Sequence, residues 1–120
     1  MTNLLLLYQD DRTFDVSDIK RIFEANRGFS DVRLDEPGGA AIEADYVEHE
    51  DRTIVGLSRS RRSISLAGTT DAAFHAALIL QRDLGTPLRL VDTGYTFDFI
   101  LEGSLTVEEL RAAVEDARTS

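Results

Sequence analysis

Two histidines and a surplus of carboxylates are the residues in this chain with the means to do chemistry. Glu48-His49-Glu50-Asp51 brings four metal-ligand residue types together, but four consecutive residues in an open turn cannot all point at one ion. No Cys or second His stands at ligand spacing, so a solvated turn is expected and no metal. His75 follows Asp71 by one helical turn, a spacing that permits a capping or salt-bridge contact. Serines are present, but no G-x-S-x-G elbow gives one an activated context. Pro37-Gly38-Gly39 lies between two predicted strands, so it reads as a turn and presents no helix-terminal N–H groups to a phosphate. Glu108-Glu109 and Glu115-Asp116 read as the solvated side of a terminal helix, the first pair complementing its dipole. The residue types thus predict no catalytic residue and no cofactor.

Leu4-Leu5-Leu6-Leu7 followed by Asp10-Asp11 resembles the start of a response-regulator receiver domain, where a hydrophobic strand leads into paired magnesium-binding acids. The resemblance stops there. Receivers also need an Asp ending the third strand and a Lys ending the fifth, and the only lysine is Lys20, inside a predicted helix.

The elements that must position any site follow from periodicity. Leu4 to Tyr8 is a short apolar run, read as a buried strand over about 3–9. Val16, Ile19, Ile22 and Phe23 share one helical face over about 16–26, with Asp15 as N-cap and Gly28 suited to C′. Val32 and Leu34 alternate with Asp31, Arg33 and Asp35 before the Pro37 turn. The returning strand then sets Ile42, Ala44 and Tyr46 against Glu43, Asp45 and Val47, as a sheet with one solvated face requires. Thr53, Val55 and Leu57, then Ile64 and Leu66, give two more antiparallel strands.

A second helix starts after Thr69-Thr70-Asp71 and carries Ala73, Phe74, Ala77, Leu78, Gln81 and Leu84 before Gly85 and Pro87. Leu88 and Leu90, a Thr93-Gly94 turn, and Tyr95, Phe97 and Phe99 form a hairpin with an aromatic core face. Thr106 and Glu109 make a capping box ahead of Val107, Leu110, Ala113, Val114 and Ala117. The order β-α-β-β-β-β-α-β-β-α predicts one α+β domain over residues 1–120, a mostly antiparallel sheet with helices packed on one face, ferredoxin-like or TATA-binding-protein-like. Residues 4–47 and 63–101 each read β-α-β-β, a structural pseudo-repeat.

Charge is the strongest global clue. Thirteen Lys and Arg against 22 Asp and Glu give −9 over 120 residues, which opposes binding to nucleic-acid phosphates and anionic membranes. The N-terminal apolar run lacks a basic flank and is too short for a signal peptide or membrane span. With no Cys to staple a small secreted domain, the cytoplasm is the expected compartment. Arg59, Arg61 and Arg62, with Arg52 expected nearby across a hairpin, form one basic cluster, read as neutralising Glu43 and Asp45.

In size, charge, paired strands from Thr53 to Leu66 and the ending Asp92 to Phe99 before a capped acidic helix, the chain resembles the small acidic immunity proteins of bacterial toxin systems. That resemblance implies a non-catalytic protein-binding module that blocks a toxin by occluding its active site. The alternative is a small-ligand-binding or regulatory module with a pocket between sheet and helices. From charge and strand face, the partner-binding residues are Asp31, Asp35, Glu43, Asp45, Glu48, Glu50 and Asp51, meeting a protein partner with a basic surface. Charge reversal at Glu43 and Asp45 is expected to slow association without unfolding the domain. A homodimer through an exposed strand edge is a further expectation.

Overall fold

The hydrophobic runs and caps above form the expected ten elements, in the expected order. In the computed structural model they are β1 (Leu4–Leu7), α1 (Val16–Ala25), β2 (Phe29–Leu34), β3 (Ile42–Glu48), β4 (Asp51–Leu57), β5 (Ile64–Leu66), α2 (Asp71–Leu84), β6 (Leu88–Asp92), β7 (Asp98–Leu101) and α3 (Val107–Thr119). The structure describes residues 3–35, 37, 39–94, 96–101 and 106–119. Gly38 of the expected turn and Tyr95 of the expected aromatic face lie outside the described residues.

All strands join one seven-stranded sheet in the order β2-β3-β4-β5-β1-β6-β7, and every neighbouring pair is antiparallel. The chain is therefore α+β with an antiparallel sheet. A ferredoxin-like unit, β-α-β-β-α-β, has four strands, so that finer likeness is not established here. The pseudo-repeat does not carry through to the sheet: after the first helix β2 takes the edge and β3 lies inside, whereas after the second helix β6 lies inside and β7 takes the edge.

Alternation sorts the two faces of the sheet. Leu4, Leu6, Ile42, Ala44, Tyr46, Val55, Leu57, Ile64, Leu66, Leu88, Leu90 and Leu101 are buried together with Ile19, Ile22 and Phe23 of α1 and Leu110 and Val114 of α3. At about 25 cal/mol per Å² of apolar surface, this cluster is the main driving force for the fold. Helix α2 is apolar most of the way round, with Ala72, Ala73, Phe74, Ala76, Ala77, Ile79 and Leu80 buried, because it packs between the sheet and both other helices. Its four alanines let the backbone come close to the strands.

The caps carry several of the sequence expectations. The Asp15 side chain accepts from the Ser17 N–H at 2.7 Å, Gly85 is left-handed at φ 70° with its N–H on the Gln81 carbonyl, and Thr106 and Glu109 exchange both capping-box bonds. Gly28 is a correction. Helix α1 ends at Asn26 with φ −119°, in extended backbone, and Gly28 is small for another reason: a Cβ there would meet the Tyr46 ring at 2.3 Å.

Asp92 is almost wholly buried yet satisfied. It accepts from the Thr96 N–H at 2.7 Å, the Thr96 hydroxyl at 2.5 Å and the Phe97 N–H at 3.4 Å. Burial pushes its carboxyl up, but these bonds together outweigh burial and hold it below the usual carboxylate range. They shape the turn from β6 into β7.

Candidate functional site

The β3–β4 hairpin turn carries the histidine-and-acid segment to the N-terminal end of α2. Glu48 pairs with Asp51 in the ladder, and His49 makes the reversal at φ 56°. The register then directs three of the four side chains to different tasks. Glu48, half-buried, contacts His75 Nδ1 on α2 and accepts from the Tyr46 hydroxyl at 3.4 Å. Asp51 accepts from the Ala72 N–H at 3.0 Å and from its own strand at Arg52 N. Glu50 is exposed.

Asp51 therefore caps α2 from a neighbouring hairpin. The formal N-cap, Thr70, makes no side-chain capping bond, and the Ala72 bond, together with one from Thr70, lowers the Asp51 pKa although burial opposes it. Asp51→Ala should cost about 1 kcal/mol in urea unfolding at pH 7. Because the folded pKa is depressed, the wild-type contribution is complete above the unfolded value of about 3.9 and vanishes as pH falls through the lower folded value. The two proteins should then converge in stability as the medium is acidified. A constant difference down to the acid limit would remove the carboxylate from the cap.

The i,i+4 spacing that permits a contact between His75 and Asp71 is not used: His75 turns to Glu48, and Asp71 is taken by Arg111 of α3 (Nε to Oδ1, 3.0 Å). Burial and then the Arg82 guanidinium lower the His75 pKa, while the Glu48 carboxylate acts in the opposite sense. Where hairpin, α2 and α3 meet, Glu48, His49, Asp51, Asp71, His75, Val107, Glu108 and Arg111 line an open cleft of about 350 Å³. Four carboxylates thus face one guanidinium. A second cleft of about 390 Å³ between α1 and the end of α2 is lined by Asp18, Arg21, Ile22, Ala25, Asp83 and Leu84. Its charges are paired, Arg21 with Asp18 and Arg82 with Asp83.

The remaining expected binding residues sit elsewhere, on and beside the open face of the sheet. Two residues of β2, Asp31 and Val32, oppose the single Ala44 of β3, and Asp31 takes φ 57° in that bulge. Arg33 lies on the open face, where it reaches Glu43 Oε1 at 3.0 Å, Asp45 Oδ1 at 3.3 Å and Asp31 Oδ2 at 3.1 Å. Arg52 closes on Asp45 Oδ2 at 2.5 Å, and Arg59 on Asp35 at 3.1 Å. Asp45, expected as an exposed acid, is only 8% exposed. The acidic patch expected on this face is thus an alternation of acids and arginines.

The basic cluster is also corrected. Arg52 stands opposite Val47 at one end of β4, whereas Arg59, Arg61 and Arg62 follow the other end, about 20 Å away at 3.3 Å per residue. Neutralisation of neighbouring acids, the expected role, is what Arg52 and Arg59 do.

The cleft thus unites Glu48 and Asp51 with Asp71, His75, Glu108 and Arg111 and leaves Asp31, Asp35, Glu43 and Asp45 apart. The glutamate and arginine of α3 were legible only as a solvated helix face, since nothing local says that the last helix docks beside the central hairpin. The described residues of the cleft lining include no Ser, Thr or Cys, and their side chains can attract and hydrogen-bond a cation. Among the described residues, no group of three or more His, Cys, Asp or Glu is arranged to hold a metal ion, and no helix is long and apolar enough to cross a membrane. No protein-family model, no curated protein and no solved structure matches this chain.

Proposed function

We propose that this chain is a non-catalytic protein-binding module that masks a basic protein, in the manner of the immunity proteins that neutralise bacterial toxins. The observation that supports the reading most is the imbalance of the cleft between the β3–β4 hairpin, α2 and α3. There Glu48, Asp51, Asp71 and Glu108 outnumber Arg111 four to one, on a chain where at least half of the other described acids pair with arginine. Surplus negative charge in a concave surface draws a lysine or arginine of the partner and speeds encounter more than it deepens the final well. Glu50, exposed at the tip of the hairpin, extends the same field.

The test uses the purified chain as bait, captures a basic protein at low salt, and then measures that protein's own activity after stoichiometric mixing. Loss of that activity is the expected result, and a captured protein that stays fully active sinks the masking reading. The double reversal Glu50→Lys with Glu108→Lys should slow association about ten-fold near 0.15 M salt and flatten its salt dependence, with a fall in melting temperature of only a few degrees from the lost complement to the α3 dipole. Equal association rates would move the site away from the cleft. A pocket between sheet and helices, which the small-ligand alternative calls for, is not where either cleft lies; both sit at helix ends and carry charged linings.

A further inference from the structure

The side of the sheet turned away from the helices has a different character from the rest of the molecule. Alternation brings to it Leu5 and Leu7 of β1, Val47 of β3, Ile54 and Gly56 of β4, Ser65 of β5, Val91 of β6 and Ile100 of β7, of which Gly56 and Val91 are themselves buried. Val47, Ile54 and Ile100 are 44, 43 and 39% exposed, three of the four large apolar side chains left most open among the described residues. The charged groups stand towards its two ends. Arg33 and Arg52 offset Glu43 and Asp45 at one end, and Arg89 offsets Asp98 at the other, Nε to Oδ1 at 2.8 Å. Burial aside, the Arg89 contact holds Asp98 below the usual carboxylate range, so it is ionised and matched at neutral pH.

On a chain of net charge −9, this face therefore sets Arg33, Arg52 and Arg89 against Glu43, Asp45 and Asp98, with Asp31 of the bulge beside Arg33, and leaves the strands between the two ends uncharged. We propose that it is where a second copy of the chain docks, face to face about a two-fold axis. A partner recognised by opposite charge gains nothing from a neutral surface, whereas two copies can meet here without facing like charges across the seam. The exposed apolar side chains interleave with the ion pairs, Ile54 opposite Asp45, Val47 opposite Arg52 and Ile100 opposite Arg89, around a middle of small and half-buried residues, a mixture of apolar and paired groups that a homodimer interface accommodates.

Area is sufficient. Seven strands about 4.8 Å apart and about 17 Å long offer roughly 500 Å² per copy as a flat projection, about 1,000 Å² for the pair before side-chain relief is added. That reaches the lower bound for a specific interface of about 1,000 Å². The edges are less suited to the task. β2 is bulged at Asp31 and carries Arg33, and β7 has only four residues, two features that blunt edge-to-edge pairing.

Sedimentation equilibrium of the purified chain tests this independently of the cleft. The expected mass is twice 13.3 kDa at tens of micromolar, and the dimer should tighten as salt rises to about 0.5 M, because salt screens the repulsion between two acidic molecules. Ile54→Asp should weaken association at least ten-fold, and Ser65→Arg, a long cation in the middle of the seam, should do the same. Leu34→Asp, at an equally exposed leucine facing Ile42 on the other side of the sheet, should leave the dimer intact, with circular dichroism reporting folding of all three. A chain that stays monomeric at about 0.5 M salt, or a dimer indifferent to both Ile54→Asp and Ser65→Arg, overturns the proposal. So does a monomer whose Ile54→Asp variant loses the basic partner, which would assign the face to that partner.

Discussion

Replacing Gly28 by alanine should cost about 3 kcal/mol, roughly 10 °C in melting temperature, because the added methyl group has no room. An ideal Cβ at Gly28 falls 2.3 Å from Cε1 of Tyr46 and 2.9 Å from two more ring carbons. Either the ring or the loop must move, and both are held. Tyr46 is 4% exposed, its ring lies 4.7 Å from Phe29 and 5.9 Å from His75, and its hydroxyl reaches Glu48. The Gly28 carbonyl accepts from the Val47 N–H at 3.0 Å, which ties the loop to β3 beside that ring. Urea unfolding of Gly28→Ala, alone and in a Tyr46→Leu background, checks the cause. With the ring removed, the second substitution should cost under about 1.5 kcal/mol, because the two effects share one contact. A loss below about 1 kcal/mol in the wild-type background would mean that the loop yields.

The sequence carried the element order in full because most boundaries have a local cause. Asp15, Gly85 and the Thr106/Glu109 box act within a few residues, and the apolar periods switch between two and 3.6 where strands give way to helices. Gly28 marks the limit of such reasoning. A glycine two residues past a helix reads as a C′ residue, and only the three-dimensional approach of Tyr46, 18 positions later, gives it its actual role. The crossing order of the sheet was likewise out of reach. That β1 inserts between β5 and β6 is a long-range choice which no local pattern encodes.

The site divides the same way. Glu48-His49-Glu50-Asp51 stood out by residue type, but its uses depend on α2 arriving beside the turn, so that Asp51 becomes a cap and Glu48 a partner of His75. Strand alternation found the face of Glu43 and Asp45 and missed what lies between them. Alternation with Val32 and Leu34 sets Arg33 on that face too, but only the register across the Asp31 bulge shows that it reaches both Glu43 and Asp45. Sequence charge alone could not separate a matched carboxylate from a surplus one, and that separation is why the proposed binding site lies at the cleft and not on the sheet.

Asp45→Lys should therefore read as a folding defect, of about 3 kcal/mol or more, instead of the simple loss of a binding charge. Asp45 lies between the guanidinia of Arg33, at 3.3 Å, and Arg52, at 2.5 Å, and a lysine there would crowd three cations into a site only 8% exposed. The two arginines do not share the cost equally. The Arg52 side chain is 63% exposed and can turn to water, but that of Arg33 is 24% exposed and is fixed by Glu43 and Asp31, so the repulsion falls on Arg33. Asp45→Asn, which keeps the shape and drops the charge, should lose less, about 1–2 kcal/mol. Glu50→Lys, the same reversal at an exposed turn, should stay within about 0.5 kcal/mol of wild type. Urea unfolding of the three separates the cases. An Asp45→Lys protein as stable as the Glu50→Lys protein would show that the pair with Arg33 is solvated, and would return Asp45 to the set of free surface acids.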